Sequence, residues 1–333
     1  MKKLLNNPND YADEALEGMC LAHPEFYLQS GETGRVIRRA SAQIKGKVGV
    51  VSGGGSGHLP VFAGYVGSGL LDACSVGNVF AGPSVGDCMD AMKIADGGAG
   101  VLCLYGNYGG DRMNFDMAGE ILALDGLAST TVLVADDVAS APKSESIKRR
   151  GVAGMIYAFK IAGASAAAGA DLEAVTAIAQ KAASACRTIG VALTPCTVPE
   201  AGKPTFEIAD DEMEMGMGIH GEPGIWRGKL RPADEIAAEM LQRVSVELEL
   251  AAGDRVSVLV NSLGSTPHEE LFILYRQIAK SLAAEGIAIV MPLVGRYATS
   301  MEMTGASLTL IKLDNELETL LKAPAKCAFW SVG

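Results

Sequence analysis

The chain is 333 residues long with a formal net charge of -11, and 49% of its residues are hydrophobic but only 5% are aromatic. The length predicts about two domains of roughly 150 residues each, and the abundant glycine and alanine favour packed α/β layers over a β-sandwich. The acidic balance argues against nucleic acid or an anionic membrane surface as a partner, and no apolar run of about 18 residues could span a membrane.

The first half of the chain predicts alternating strands and helices. A helix is expected from Tyr11 to about Met19, and the β-branched run 47–52 predicts a buried strand. A glycine-rich loop with the sequence GGGSGH (53–58) follows this strand, and a helical pattern begins near Pro60. This order of elements directs backbone N–H groups and a helix N-terminus towards an anionic or polar group.

The glycine-rich loop matches neither of two nucleotide-binding motifs. A Walker A loop ends in Gly-Lys-Ser/Thr, whereas this loop ends in Gly57-His58-Leu59, and the dinucleotide fingerprint GxGxxG requires glycine where His58 stands. Two interpretations stay open from these residues: a ligand loop without a nucleotide code, or a tight strand-to-helix turn.

The alternation continues to about residue 135 and places polar loops at the ends of successive strands. Expected strands are 73–80, 100–105 and 130–135, with a helix over 84–96 capped by Ser84 and another through Phe115. The second of these strands leads into Gly106–Asp111. Because ligands bind at the carboxyl ends of open parallel sheets, this loop is a candidate ligand-binding segment. Its Asp111 is also a plausible N-cap of the following helix, and a site role and a cap role can coexist.

The second half begins with an alanine-rich helical region and ends as α/β structure. Regular periodicity disappears between Cys196 and Trp226, in a connection with too many apolar residues for a disordered segment. The other expected elements are helices within 151–189 with Asp171 as a cap, a strand at 190–195, helices at 234–250 and 268–284, and strands at 256–260, 287–291 and 306–313.

The long connection contains the sequence GMGIHGEPG (216–224), which holds His220, one of only four histidines. Its four glycines let the backbone come close to whatever the imidazole faces. An isolated loop histidine is nevertheless more commonly a solvated or hydrogen-bonded side chain than a catalyst, so the local sequence leaves both interpretations open.

The seven cysteines are scattered, mostly in apolar runs, without a CxxC pair or a cysteine–histidine cluster at metal-ligand spacing. They predict buried thiols in a reducing compartment and no metal site. The first ten residues lack the apolar core of a signal peptide. We therefore expect a cytoplasmic protein.

Five segments together resemble the DhaK, ketose-binding, subunit of dihydroxyacetone kinases, and the similarity covers essentially the whole chain. They are 47–60, 107–116, 202–204, 212–224 and 300–313, of which SGGGSGH and GIHGEPG are the most specific. The resemblance implies an α/β fold of two domains with mixed, largely parallel sheets flanked by helices. We expect residues 1–190 to carry the glycine-rich loop and Asp111, and residues 191–333 to carry the His220 loop.

The resemblance also implies roles for particular residues. His220 would attach the carbonyl carbon of a short-chain ketose as a hemiaminal, Asp111 would be the catalytic aspartate and His58 a helper acid or base. Gly55 would hold the substrate, with backbone N–H groups around Gly54 and Gly55 binding its oxygens. Such subunits are usually homodimers and bind no nucleotide or metal themselves. A separate DhaL-type subunit or domain carries Mg²⁺ with ATP, or with an ADP that a phosphotransferase protein rephosphorylates.

The implied chemistry suits these residue types. A neutral imidazole is a nucleophile near pH 7, and its adduct with a carbonyl stops at the hemiaminal because the ring nitrogen has no second proton to lose. Glycerol has hydroxyls but no electrophilic carbon, so attachment selects ketoses over polyols. Phosphoryl transfer then needs an aligned hydroxyl and a base, the role that we predict for Asp111.

The chain departs from the family pattern at several positions. Leu59 replaces a common Glu, Ala81-Gly82 a usual Thr-Ser, and Gly106 and Gly109 a usual Lys and Thr. These changes remove charge and hydroxyls and add room, which predicts a larger ketose such as erythrulose, in place of dihydroxyacetone or beside it.

Two other functions compete with the kinase subunit. A ketose-sensing co-activator of the same family would be expected to tolerate loss of the acid–base set, yet His58, Asp111 and His220 are all present. A nucleotide-binding oxidoreductase or ATPase would rest on the glycine-rich loops alone, and both nucleotide motifs fail.

Overall fold

The computed structural model describes residues 2–333. Within these residues the chain forms eight α-helices: α1 (Tyr11–Ala22), α2 (Val85–Ala95), α3 (Gly109–Leu124), α4 (Gly154–Ala167), α5 (Leu172–Ser184), α6 (Ala233–Leu248), α7 (His268–Ala284) and α8 (Asn315–Lys322). Four strands precede α2, namely β1 (Tyr27–Ser30), β2 (Val36–Arg39), β3 (Gly49–Gly55) and β4 (Ala73–Gly77). The later strands are β5 (Val101–Gly106), β6 (Ser129–Val134), β7 (Cys186–Thr194), β8 (Glu212–Met215), β9 (Trp226–Lys229), β10 (Arg255–Ser262), β11 (Ala288–Ile289), β12 (Leu293–Gly295), β13 (Thr304–Leu313), β14 (Ala325–Lys326) and β15 (Ser331–Val332).

The chain divides into two compact units. Unit 1 comprises residues 2–134, 155–182 and 319–333, and unit 2 comprises residues 135–154 and 183–318. Each unit is made of separate segments of the chain, whereas the sequence predicted two continuous domains with a single boundary at residue 190. The difference arises because β7 crosses that position as an interior strand of the unit 2 sheet, and because the last residues of the chain return to unit 1.

Unit 1 is built on a six-stranded sheet with the order β1-β2-β4-β3-β5-β6. The four neighbouring strands β4, β3, β5 and β6 are parallel to one another. Strands β1 and β2 extend the sheet beyond β4 with antiparallel pairing. Strands β3 and β5 are buried along their whole length, as expected for central parallel strands covered on both faces. Helix α2 begins where predicted, because Ser84 Oγ accepts a hydrogen bond from the Asp87 N–H at 3.1 Å.

Unit 2 contains a seven-stranded sheet with the path β11-β10-β13-β7-β8-β9, and β12 pairs beside β10. Only β11 and β12 run parallel to β10, and the remaining pairs are antiparallel. The fold class is confirmed, since both units are mixed sheets flanked by helices, with parallel pairing concentrated in unit 1. Helices α6 and α7 bury their apolar faces in the unit 2 core, against side chains such as Met213, Val258 and Leu308.

Two local predictions need correction. No regular helix starts near Pro60; the chain there forms a short 3₁₀ turn at Ala63–Tyr65 within a buried segment. Glycines interrupt this segment, and a Cβ at Gly67 would overlap the carbonyl of Lys326. The connection 196–226 is also less irregular than predicted because it contains β8, whose Glu-Met-Glu-Met sequence lacks β-branched residues.

The cysteines are free thiols throughout the described chain, and all but the half-buried Cys20 are buried. None of the helices in residues 2–333 combines the length and the apolar character that a membrane crossing requires.

Candidate active site

The glycine-rich loop lies at the carboxyl end of β3, where the sheet of unit 1 changes its winding direction. Pairing between β3 and β5 ends at Val51 and Cys103, while pairing between β3 and β4 continues to Gly55 and Gly77. Because β4 and β5 flank β3 on opposite sides, the end of β3 separates from β5 at the topological switch point. In parallel sheets this crevice is where ligands bind.

Gly54 and Gly55, at the carboxyl end of β3, stand where no larger side chain would fit. A Cβ at Gly54 would overlap the ring of Phe62, and one at Gly55 would overlap the carbonyl oxygen of Val79. Gly55 has a φ of -70°, which any residue can adopt. The two glycines therefore let Phe62 and Val79 pack directly against the backbone of the loop.

His58 is buried, with only 2% of its surface exposed. Its ring stacks on Phe80 at a centroid distance of 4.9 Å and meets the edge of Phe62 at 6.2 Å. The preceding Gly57 N–H donates a hydrogen bond of 2.7 Å to the Val79 carbonyl. Aromatic packing and this backbone contact hold the imidazole against the loop of residues 78–82.

Asp111 lies in the first turn of α3, whose N-cap is Tyr108. The N-cap interpretation of Asp111 is therefore wrong, although the positive end of the helix dipole still favours a carboxylate there. A Cβ at Gly82 would lie 2.9 Å from Asp111 Oδ1. The 78–82 loop thus contacts Asp111 at Gly82 and His58 at Phe80, so unit 1 brings these two predicted residues and the glycine loop to one edge.

The His220 loop connects β8 to β9 in unit 2. The chain leaves β8 through Gly216, which has a left-handed φ of +85°. Further along, the Gly224 N–H donates to Glu214 Oε1 at 2.6 Å, and Glu214 is buried in an ion pair with Arg227. Both ends of the loop are therefore anchored on the edge of the unit 2 sheet.

His220 is held by a carboxylate two residues further along the loop. Its Nδ1 lies 3.0 Å from Glu222 Oε1, and its backbone N–H donates to Glu222 Oε2 at 2.9 Å. The His220 side chain keeps 24% of its surface exposed. The arrangement can therefore present the opposite ring nitrogen, Nε2, to a ligand.

Glu222 and its neighbour Arg150 were not singled out from the sequence. Arg150 Nη1 lies 3.7 Å from Glu222 Oε2. Burial raises the pKa of Glu222, but the hydrogen bond and charge of His220 and the charge of Arg150 outweigh it and lower that pKa to about 2. Glu222 stands inside the recognised motif and could have been considered, whereas Arg150 reaches the loop only through the fold.

Across residues 2–333, no three or more histidine, cysteine, aspartate or glutamate side chains are grouped so that they could hold a metal ion. The glycine-rich loop with Asp111 in unit 1 and the His220 loop in unit 2 each offer imidazole, carboxylate and closely packed glycine backbone. These groups can act as nucleophile, acid, base and hydrogen-bond donor.

Comparison with known proteins gives consistent results. The Dak1 domain model matches residues 17–329. The chain is 44% identical over 331 residues to the PTS-dependent dihydroxyacetone kinase 1, dihydroxyacetone-binding subunit DhaK, of Listeria innocua, covering 99% of this chain and 100% of that protein. It is 42% identical over 331 residues to the L-erythrulose 1-kinase of Mycolicibacterium smegmatis, covering 98% of this chain and 57% of that protein.

Among solved structures, the dihydroxyacetone kinase operon co-activator Dha-DhaQ superposes with a TM-score of 0.89 at 33% identity, covering 96% of this chain and 98% of that one. Together with the match over nearly the full length, these relatives confirm the resemblance read from the sequence. The chain belongs to the Dak1 domain family, among the relatives of DhaK subunits.

Proposed function

We propose that this chain is the ketose-binding subunit of a dihydroxyacetone-type kinase. It holds a short-chain ketose on His220 while a nucleotide on a separate DhaL-type subunit phosphorylates a terminal hydroxyl of that ketose. The proposal depends on one observation, that the 78–82 loop contacts His58 through Phe80 and Asp111 through Gly82. A protein that only bound the ketose would not need this acid–base pair.

Attachment to His220 is a nucleophilic addition. The Nε2 lone pair forms a bond to the carbonyl carbon, and the π electrons of the C=O bond move onto oxygen. That oxygen gains one proton, and the ring loses the proton on Nδ1, so the product is a neutral hemiaminal. A polyol without a carbonyl cannot form this bond.

Phosphoryl transfer is assigned to the residues of unit 1. Asp111 accepts the proton of the terminal hydroxyl as the hydroxyl oxygen attacks the terminal phosphoryl group of the nucleotide. The bond from that phosphorus to the bridging oxygen breaks and the shortened nucleotide leaves, while His58 assists as acid or base. Backbone N–H groups around Gly54 and Gly55 hold the substrate oxygens. The partner subunit supplies ATP, or ADP that is rephosphorylated, together with Mg²⁺.

The substrate is proposed to be erythrulose or dihydroxyacetone. The larger ketose is supported by a relative with 42% identity over 98% of this chain that is named L-erythrulose 1-kinase. The test is a kinase assay with the matching DhaL-type partner, with dihydroxyacetone, erythrulose and glycerol compared. We expect both ketoses to be phosphorylated and glycerol not to be. Failure of erythrulose to react at all would refute the larger pocket.

A non-catalytic co-activator that senses a ketose is the second candidate, and the superposition on Dha-DhaQ favours it. The same assay separates the two functions. A sensor would bind the ketose without forming a phosphate ester when partner, nucleotide and Mg²⁺ are all present.

We further propose that the protein is a cytoplasmic homodimer. Its free, mostly buried thiols suit a reducing compartment, and the dimer is the state implied by the family resemblance. Sedimentation of the purified chain tests the dimer, and a monomer at micromolar concentration would contradict it.

A further inference from the structure

We infer that Glu222 positions His220 for its attack on the ketose, and that Arg150 and Asp137 hold Glu222 in place. This inference rests on the proposed function, in which His220 attaches the substrate. It adds to that function three side chains that do not themselves contact the ketose, all of them within unit 2.

The Glu222 carboxylate fixes the ring of His220 relative to its own backbone. One oxygen lies 3.0 Å from the ring Nδ1, and the other accepts the His220 backbone N–H at 2.9 Å. The backbone of Glu222 is itself tied down, because its carbonyl accepts the Gly218 N–H at 2.9 Å. The Glu222 carboxylate thus holds both the ring and the backbone N–H of His220 within one short loop.

An ionised carboxylate can only accept hydrogen bonds, so in the neutral ring Nδ1 must carry the hydrogen that faces Glu222. The lone pair then lies on Nε2, which forms the bond to the ketose carbon. As that bond forms, positive charge develops on the ring, and the nearby carboxylate stabilises this charge without taking the proton itself. The new alkoxide gains a proton from solvent and the ring releases its Nδ1 proton to solvent, so the step balances.

Arg150 keeps the Glu222 carboxylate charged and is itself held by Asp137. Arg150 Nη1 lies 3.7 Å from Glu222 Oε2, and Nε and Nη2 of the same guanidinium lie 3.0 and 2.9 Å from Asp137 Oδ2. The other Asp137 oxygen accepts the Ala139 N–H at 3.0 Å. A chain of alternating charge therefore runs from the buried Asp137 through Arg150 and Glu222 to the imidazole.

Gly218 provides independent support for this arrangement. A Cβ at this position would overlap Glu222 Oε2 and would lie 2.5 Å from Arg150 Nη1. Gly218 has no left-handed φ, so glycine is needed there for the space that the Glu222–Arg150 pair occupies. The first glycine of GIHGEPG thus makes room for the group that orients its histidine.

The test measures the tautomer of His220 by ¹⁵N NMR in the full chain, without substrate or partner. In the unaltered protein we expect Nδ1 protonated and Nε2 unprotonated. In Glu222→Gln we expect the ring to populate the Nε2–H form, because the amide N–H₂ can donate to Nδ1. In the kinase assay the ketose KM should rise about 10- to 100-fold, the range found for carboxylates that orient metal-binding histidines, with a smaller change in kcat.

Glu214→Gln is the matched control, since Glu214 anchors the other end of the same loop through Gly224. It should leave the His220 tautomer unchanged. The inference is overturned if the unaltered protein shows the Nε2–H tautomer, or if Glu222→Gln changes neither the tautomer nor the ketose KM. His220→Ala separates this result from failure of the proposed function: unchanged ketose binding in that variant would refute the attachment itself.

Discussion

In the loop after β3, glycine is needed because side chains and carbonyls press against the backbone, as a Cβ at Gly54 would overlap Phe62. In the loop after β8, Gly218 is likewise needed for space, but Gly216 and Gly221 also have left-handed φ values of +85° and +84°. The histidines of the two loops differ more clearly. His58 is buried and stacked on an aromatic ring, whereas His220 is partly exposed and bound to a carboxylate.

We propose that the two histidines have separate roles. A histidine packed between aromatic rings is placed rigidly and is shielded from water, which suits general acid–base catalysis near Asp111. A histidine on an open turn, with its Nδ1 held by a charged partner, suits covalent attachment of a ligand from solution. Changes in unit 1 should therefore alter turnover, and changes in the His220 loop should alter ketose binding.

The largest expected effect is that of Asp111→Asn. The amide cannot accept the hydroxyl proton, so kcat should fall about 10²- to 10⁴-fold, while the ketose still binds at His220. Turnover with the partner subunit and ketose binding by calorimetry measure the two effects separately. Asp116→Asn, at an exposed position of the same helix, is the control and should change neither. Unchanged turnover in Asp111→Asn would remove Asp111 from the mechanism.

A smaller effect is expected from adding a methyl group to the first loop. Gly54→Ala should lower the free energy of unfolding by about 1 to 3 kcal/mol, because the ring of Phe62 must move. Gly110→Ala should be neutral or stabilising by up to about 1 kcal/mol, because its Cβ would meet nothing within 4 Å at the start of α3. Urea unfolding compares the two variants. Equal effects would show that the first loop is not tightly packed.

The smallest expected effect is the loss, in acid, of the stability that Glu222 contributes to the His220 loop. The pKa of Glu222 is about 2 in the folded chain, below its usual 4.5. Its contribution to stability is therefore fully present above about pH 4.5 and is lost as the pH falls towards 2. The difference in unfolding free energy between the unaltered protein and Glu222→Gln should shrink over this interval. A difference that stays constant with pH would contradict the charged pairing with His220.

Much of this architecture is readable from the chain itself. The apolar periodicity of 268–284 predicted α7 with the bounds that the structure has, and Ser84 identified the start of α2. β8 was missed because Glu214, a charged residue, is buried there through its pairing with Arg227. Local patterns carry no information about such partners, which the chain brings together only when it folds.

The candidate site shows the same limit. Motifs identified His58, Asp111 and His220, but not what surrounds them. Phe80, which stacks on His58, and Arg150, which lies beside Glu222, have no sequence signature linking them to their partners. Their positions follow from the order of strands and the path of two loops, which a periodicity argument does not supply.

The most direct test of the central claim is a crystal structure of the chain soaked with erythrulose or dihydroxyacetone. Continuous electron density from His220 Nε2 to a tetrahedral ketose carbon is the predicted result. A ketose bound elsewhere, or one beside His220 with a planar carbonyl and no bond to the ring, would contradict the account.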